Sequence, residues 1–225
     1  MPFLLAVPYG GNMLSIEFLN HCSISTYDLM LYAEKHCSDL YSVMKNEVTH
    51  YADTNISRIM IDLNQPTNQF KCRNNLLLSQ CGISVPEYVH EILLNKYYHP
   101  YHRHIRNNIN KNVKVGVDCH TLISRARGKG RDYVQYDADI LIQSESTEQC
   151  KRIAQSLKLA LGAHFTGRVL VRSQWQKEFI SVAHPQIPWL KLEIGISSHQ
   201  NLDKIKLQLY QGLRDWGIIL GDPEI

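Results

Sequence analysis

The sequence predicts an α/β fold with a mainly parallel sheet flanked by helices. Short apolar runs rich in β-branched residues recur from residue 3 to residue 196. Amphipathic stretches with apolar residues three and four apart lie between them. Strands alternating with helices argue for parallel pairing. No internal repeat, low-complexity stretch or linker interrupts the chain, so 1–225 reads as a single domain.

The elements follow in order. Phe3 to Val7 is a first strand, ended by the glycine turn Pro8-Tyr9-Gly10-Gly11-Asn12. It lacks the basic start of a secretion signal. Tyr27 to His36 reads as a helix, with Leu29, Tyr32 and Ala33 on one face and Asp28 near its N-terminal end. Ser57 to Asp62 reads as a second strand, stopped by Asn64-Gln65-Pro66. Pro86 to Asn110 is the longest helical pattern, with Val89, Leu93, Tyr97, Tyr101, Ile105 and Ile109 in one stripe. Pro86 suits the first helical position, and Pro100 should kink or divide the helix. Val113, Val115 and Val117 mark a central strand over 113–118. Ser124 to Arg131 is basic and glycine-containing, an exposed loop. Asp139 to Ile142 is another strand. Ser146-Thr-Glu-Gln149 has capping-box spacing before Cys150, Ile153, Leu157 and Leu161, with Gly162 as the stop. Arg168 to Arg172 and Trp189 to Ile196 are the last strands. Asn201 caps a final helix that buries Leu202, Ile205, Leu209, Leu213 and Trp216 and ends at Gly217.

Composition narrows the function classes. A net charge of +3 is too small to demand nucleic acid or a membrane surface, and no apolar run reaches spanning length. The six cysteines include no Cys-x-x-Cys pair, which argues against a zinc knuckle or disulfide framework and fits reduced thiols in a cytoplasm. Eleven histidines keep metal chemistry open.

Chemistry-bearing residues gather at expected strand ends, where α/β folds build sites. Asp118 and His120 are two apart and point to one side of a strand. They suit a metal site, in which a carboxylate orients or joins a ligating His, or else form a plain surface pair. Glu193 interrupts an apolar strand. Either Lys191, two residues before it, neutralises it, or it is a general base raised by its apolar setting. Arg58 is a surface cation or an anion clamp. Asp62 and Asn64 share a face or make a turn before Pro66. The stretch from Tyr97 to Arg106 mixes aromatic and basic groups and reads as a packed helix with a solvated basic face. The Arg125 to Arg131 loop lacks the strand and helix of a Walker site.

In this order, the stretches Val7-Pro-Tyr-Gly-Gly11, Ser57-Arg58, Asp62-Leu-Asn-Gln65, Tyr98-His-Pro-Tyr-His102, Asp118-Cys-His-Thr121 and Leu192-Glu-Ile194 resemble the N-formylglutamate amidohydrolase family. The resemblance spans roughly residues 5 to 196. It implies a phosphorylase/hydrolase-like fold similar to the zinc carboxypeptidases and aspartoacylases. It also implies a zinc-dependent hydrolase that cuts the amide of a small N-acyl amino acid. By motif, His120 would be a zinc ligand, Asp118 its support and Asp28 a further candidate ligand. Glu193 would be the general acid/base. Arg58 and Asn64 would clamp substrate, with Tyr9 and Gln65 beside it. The sequence departs from the family at three places. Tyr9 stands where the first ligand histidine falls, and a phenol with a pKa near 10 is a poor neutral-pH ligand. Gln65 replaces an arginine. Trp175-Gln-Lys-Glu-Phe179 replaces a glycine-rich segment. Either zinc is held by another set, His120 and Asp28 with His21 or His36, or the pocket is kept for binding without hydrolysis. A third reading is a nucleic-acid or phosphate binder using the Arg125 to Arg131 loop.

Overall fold

The computed structural model describes residues 1–21, 25, 34, 36–67, 85–123, 140–165, 167–173, 179–196 and 201–222. Its strands are β1 (Phe3–Val7), β2 (His50–Asp53), β3 (Val115–Ile123), β4 (Ile140–Ser144), β5 (Val169–Arg172) and β6 (Trp189–Ile196). They form one sheet in the order β2-β1-β3-β6-β4-β5. β1 runs parallel to β2 and β3, β3 parallel to β6, and β4 parallel to β5. The β4–β6 pair is antiparallel, so the sheet is mixed but mainly parallel. The helices are α1 (Ile16–Leu19), α2 (Cys37–Tyr41), α3 (Glu87–Leu93), α4 (His99–Asn108), α5 (Glu148–Gly162), α6 (Phe179–Ala183) and α7 (Leu202–Gly221). No helix among the described residues is long and apolar enough to cross a membrane.

Both faces of the sheet are covered, which is why β1 is buried at all five positions. Alternation along the strands sorts side chains into two cores. Phe3, Leu5, Val117 and Leu192 face α2, α5 and α7, meeting Leu40, Leu157, Leu213 and Trp216. Leu4 and Ala6 face the other way, toward Phe18 of α1, Val89 and Leu93 of α3, and Tyr101 and Ile105 of α4. Polar residues of β3 and β6 share this second side. Asp118 pairs laterally with Lys191, and His120 with Glu193.

Several expected elements shift. The strand expected over Ser57 to Asp62 is a turn, in which the N–H groups of Met60 and Ile61 donate to the Ser57 carbonyl. Its Ile59, Met60 and Ile61 are buried. The apolar run therefore signals burial, which periodicity alone cannot distinguish from a strand. The strand actually present, β2, is His-Tyr-Ala-Asp and carries no apolar run. Pro100 does not divide the long helix. Leu94–Tyr98 forms a π-helical turn that links α3 to α4. A proline donates nothing to the carbonyl four residues back and crowds it, and the wider turn relieves that crowding.

Helix ends shift as well. Pro86 caps α3 from just outside it. Thr147, not Ser146, caps α5, accepting from the Cys150 N–H. Asn201 caps α7 as expected, accepting from Asp203 and Lys204. That helix runs through Gly217 to Gly221. Gly217 is there for close approach, since a Cβ would lie 2.4 Å from Met1 Cγ. Asp28 with most of the expected 27–36 helix, the 124–131 loop and residues 175–178 lie outside the described residues. Cys37, Cys119 and Cys150 are free and buried.

Candidate active site

The second face of the sheet ends in a cluster of polar side chains. β1 delivers Tyr9 just past its end, β3 delivers Asp118 and His120, and β6 delivers Lys191 and Glu193. The turn after β2 delivers Arg58, Asp62 and Asn64. Gly11 makes this possible by lying against the backbone of that segment. A Cβ on Gly11 would fall 1.9 Å from the Asn55 carbonyl carbon. The Gly11–Ser57 bridge thus ties Tyr9 to Arg58.

The Tyr9 hydroxyl donates to Asp62 Oδ1 at 2.6 Å, and the Asn64 N–H donates to the same oxygen at 2.9 Å. Asn64 Nδ2 donates to Asp118 Oδ2 at 2.8 Å, while its Oδ1 accepts the Ile180 N–H at 3.0 Å. The Arg58 guanidinium lies 3.9 Å over the Tyr9 ring, within cation–π range. Its two terminal nitrogens approach Glu34 Oε1 at 3.4 Å and Asp62 Oδ2 at 3.6 Å. Burial, then the Asp62 charge, push the Tyr9 phenol well above its ordinary pKa, against the opposing pull of Arg58. Tyr9 is therefore a neutral donor at physiological pH.

His120 is the centre of the cluster and is almost fully buried. Its Nδ1 lies 3.1 Å from Glu34 Oε1, and the other oxygen of Glu34 accepts the Thr121 N–H at 3.0 Å. A carboxylate only accepts, so Nδ1 carries the hydrogen. Nε2 comes within 3.0 Å of Asp118 Oδ1. That approach is charge against charge without hydrogen-bond geometry, and both atoms are buried with no hydrogen-bond partner among the described residues. Burial disfavours the imidazolium. The Asp118 and Glu34 carboxylates outweigh it and hold the pKa up at about 10. Glu193 is engaged on both oxygens, accepting from Gln143 Nε2 at 2.7 Å and facing Lys191 Nζ at 3.1 Å.

Of the residues singled out by sequence, Tyr9, Arg58, Asn64, Asp118 and His120 come together, and Glu193 sits beside His120 in register. Gln65 follows Asn64 in the chain, and its backbone carbonyl accepts the Tyr98 hydroxyl at 2.8 Å, away from the cluster's own bonds. His21 is exposed and pairs with Tyr88 at 2.6 Å. His36 adopts a left-handed conformation, φ 70°, where the chain leaves Glu34 for α2. Glu34 is the functional candidate that sequence reasoning missed. It lies in a stretch read only as helix, and nothing in its local spacing announces a carboxylate beneath His120.

The family model for N-formylglutamate amidohydrolase matches residues 1–197. The chain belongs to that family. A solved N-formylglutamate amidohydrolase from Ralstonia eutropha JMP134 shares the fold, with a TM-score of 0.69 at 13% identity, over 98% of this chain and 94% of that one. A solved gene product of Agrobacterium tumefaciens does likewise, with a TM-score of 0.69 at 13% identity, over 97% of this chain and 88% of that one. A search of the curated proteins found no significant match. In this member of the N-formylglutamate amidohydrolase family, the Tyr9 phenol is tied to Asp62.

Two donors fit a cation. His120 Nε2 and Asp118 Oδ1 are buried and 3.0 Å apart, with no hydrogen bond among the described residues, and Glu34 orients the ring from Nδ1 as carboxylates do behind metal-bound histidines. A catalytic zinc takes three protein ligands. Among the described residues no group of three His, Cys, Asp or Glu side chains is arranged to hold a metal.

Proposed function

We propose that this chain is a zinc-dependent amidohydrolase that cleaves a small N-acyl amino acid at the cluster around His120. One observation carries the reading: a buried imidazole and carboxylate, His120 Nε2 and Asp118 Oδ1, face each other at 3.0 Å within β3 without a hydrogen bond, with Arg58 beside them through Glu34. His120 and Asp118 would hold the metal. When bound, zinc would polarise the amide carbonyl and lower the pKa of a water.

The chain's own residues do the rest. Glu34 fixes the His120 ring so that Nε2 faces the site. Asn64 holds Asp118 through one oxygen and leaves the other free to face Nε2. Arg58 is the carboxylate clamp. Its guanidinium stands 3.4 Å from Glu34 Oε1 and 3.6 Å from Asp62 Oδ2, and its planar fork suits a substrate carboxylate. Glu193 takes the proton from water and returns it to the departing amine. Lys191 Nζ, 3.1 Å from Glu193 Oε1, orients that carboxylate for the transfers.

A second reading, an inactive relative that only binds such molecules, is favoured by a different observation. Tyr9 is bonded to Asp62, and Glu193 is held by Gln143 and Lys191. The cluster is largely satisfied by its own members.

Zinc content and turnover separate the two. Elemental analysis of protein purified without chelator or affinity tag should find about one zinc per chain, lost in His120→Ala. Release of free amino acid from N-formyl and N-acetyl amino acids should stop in Glu193→Gln while the zinc stays. No zinc after zinc is supplied, with ligand binding retained, would establish the second reading.

A further inference from the structure

His102 and His184 lie outside the cluster, and the proposed reaction leaves them unused. Both are buried, at 5% and 0% exposure. His102 Nε2 is 2.9 Å from the Leu63 carbonyl oxygen. His102 Nδ1 is 3.0 Å from His184 Nε2. We propose that these two imidazoles form a relay that positions the Asp62–Asn64 segment and, through it, Tyr9 and Asp118. The effect on turnover rests on the amidohydrolase reading; the relay itself does not.

Hydrogen-bond chemistry fixes the relay's direction. A carbonyl oxygen can only accept, so His102 Nε2 carries the hydrogen that reaches Leu63. In a neutral imidazole Nδ1 is then a lone pair. His184 must donate to it from Nε2. His184 Nδ1 becomes an acceptor, and it has no hydrogen-bond partner among the described residues. Both rings are therefore Nε2–H tautomers. They stack at 5.3 Å between centroids with 18° between planes, and the Tyr98 ring lies 4.4 Å from His102. Trp189 Nε1 donates to the His184 carbonyl at 2.8 Å, anchoring the far end of the relay to β6.

The carbonyl at the near end distinguishes this pair from an ordinary core histidine pair. Leu63 lies between Asp62, which accepts from Tyr9, and Asn64, which donates to Asp118. The same α6 region grips the segment twice. The Ile180 N–H donates to Asn64 Oδ1 at 3.0 Å, and His184, whose N–H returns to the Ile180 carbonyl, reaches Leu63 through His102. The Leu63 peptide is thus held from one side by the relay while its two neighbours hold the site from the other. Losing the His102 bond leaves a buried carbonyl unsatisfied and lets that peptide rotate, and Asp62 and Asn64 turn with it.

Long-range nitrogen–proton NMR on the intact chain should show both histidines as Nε2–H tautomers near pH 7. Finding the hydrogen on His102 Nδ1 overturns the relay. His102→Phe and His184→Phe should both shift the Asn64 side-chain amide resonances, and His102→Gln, whose amide can donate to Leu63, should restore them. Unchanged Asn64 resonances in both phenylalanine variants also overturn it. If His102→Phe does not fold, the His184→Phe spectrum and the wild-type tautomers still decide. On an N-acyl amino acid the phenylalanine variants should lose about tenfold or more in kcat with KM little changed, and His102→Gln should recover it. A wild-type chain that turns over no such substrate refutes the proposed reaction and leaves the NMR result standing.

Discussion

At the residue scale, Tyr9 decides how the cluster behaves. Its hydroxyl satisfies Asp62 inside a buried site, and Arg58 covers its ring. Tyr9→Phe removes a hydrogen bond to a buried carboxylate and should destabilise the fold by about 1–3 kcal/mol, read from urea unfolding. Tyr9→His tests the opposite property. If His120 and Asp118 are two-thirds of a zinc site, an imidazole at residue 9 should raise zinc affinity about tenfold or more in competition with a chelator. Unchanged affinity would mean that residue 9 does not face the metal position. Much of this cluster was legible in the sequence, because Asp118 with His120 and Asp62 with Asn64 follow strand or turn spacing that fixes a shared side. Lys191 against Glu193 was legible for the same reason, and the structure makes the pair at 3.1 Å. Glu34 was not. Its contact with His120 spans 86 residues, and no local pattern encodes such a meeting.

At the element scale, β1 was easy to read because it is apolar throughout, and β3 and β6 because one face of each keeps an apolar set, Val115 and Val117 on β3 and Leu190 and Leu192 on β6. The edge strand β2 escaped notice, since His50 and Tyr51 are only half-buried. The turn carrying Arg58 was mistaken for a strand because Ile59, Met60 and Ile61 are a buried apolar run. Backbone approach, not side-chain pattern, holds that turn in place. Gly11 and Asn55 are too close for any side chain at residue 11. Gly11→Ala cannot be absorbed by a rotamer change, because the Cβ would meet backbone atoms. We expect a loss of about 2 kcal/mol or more in unfolding free energy. Arg58 should also leave the Tyr9 ring, seen as a changed tyrosine absorbance. Gly162→Ala, where a Cβ meets nothing within 4 Å, is the control and should cost little.

At the scale of the whole molecule, the buried histidine pair sets the acid limit of the fold. Burial is the main cause holding His102 and His184 down at about 4, with the His184 and Arg106 charges adding to it at His102 and Arg106 at His184. At His102 the Leu63 bond opposes them by more than the Arg106 charge contributes, and the His99 charge adds a smaller downward pull. In the unfolded chain an imidazole titrates near 6.5. Between about pH 6.5 and pH 4 the unfolded chain therefore holds more protons, and stability must fall as pH falls through that window. Two independent groups would give a slope of about 2.7 kcal/mol per pH unit at most. The two rings touch, so about half of that is the better expectation. His120 does not mask the effect: its pKa lies above the unfolded value, so its contribution is complete below about pH 6.5 and is lost only as pH rises toward 10. Urea unfolding at pH 7, 6, 5 and 4.5 should show the decline. In the His102→Gln, His184→Phe double variant the decline should flatten, leaving the shallower slope of the carboxylates. An equal slope in wild type and variant would move the acid limit away from this pair.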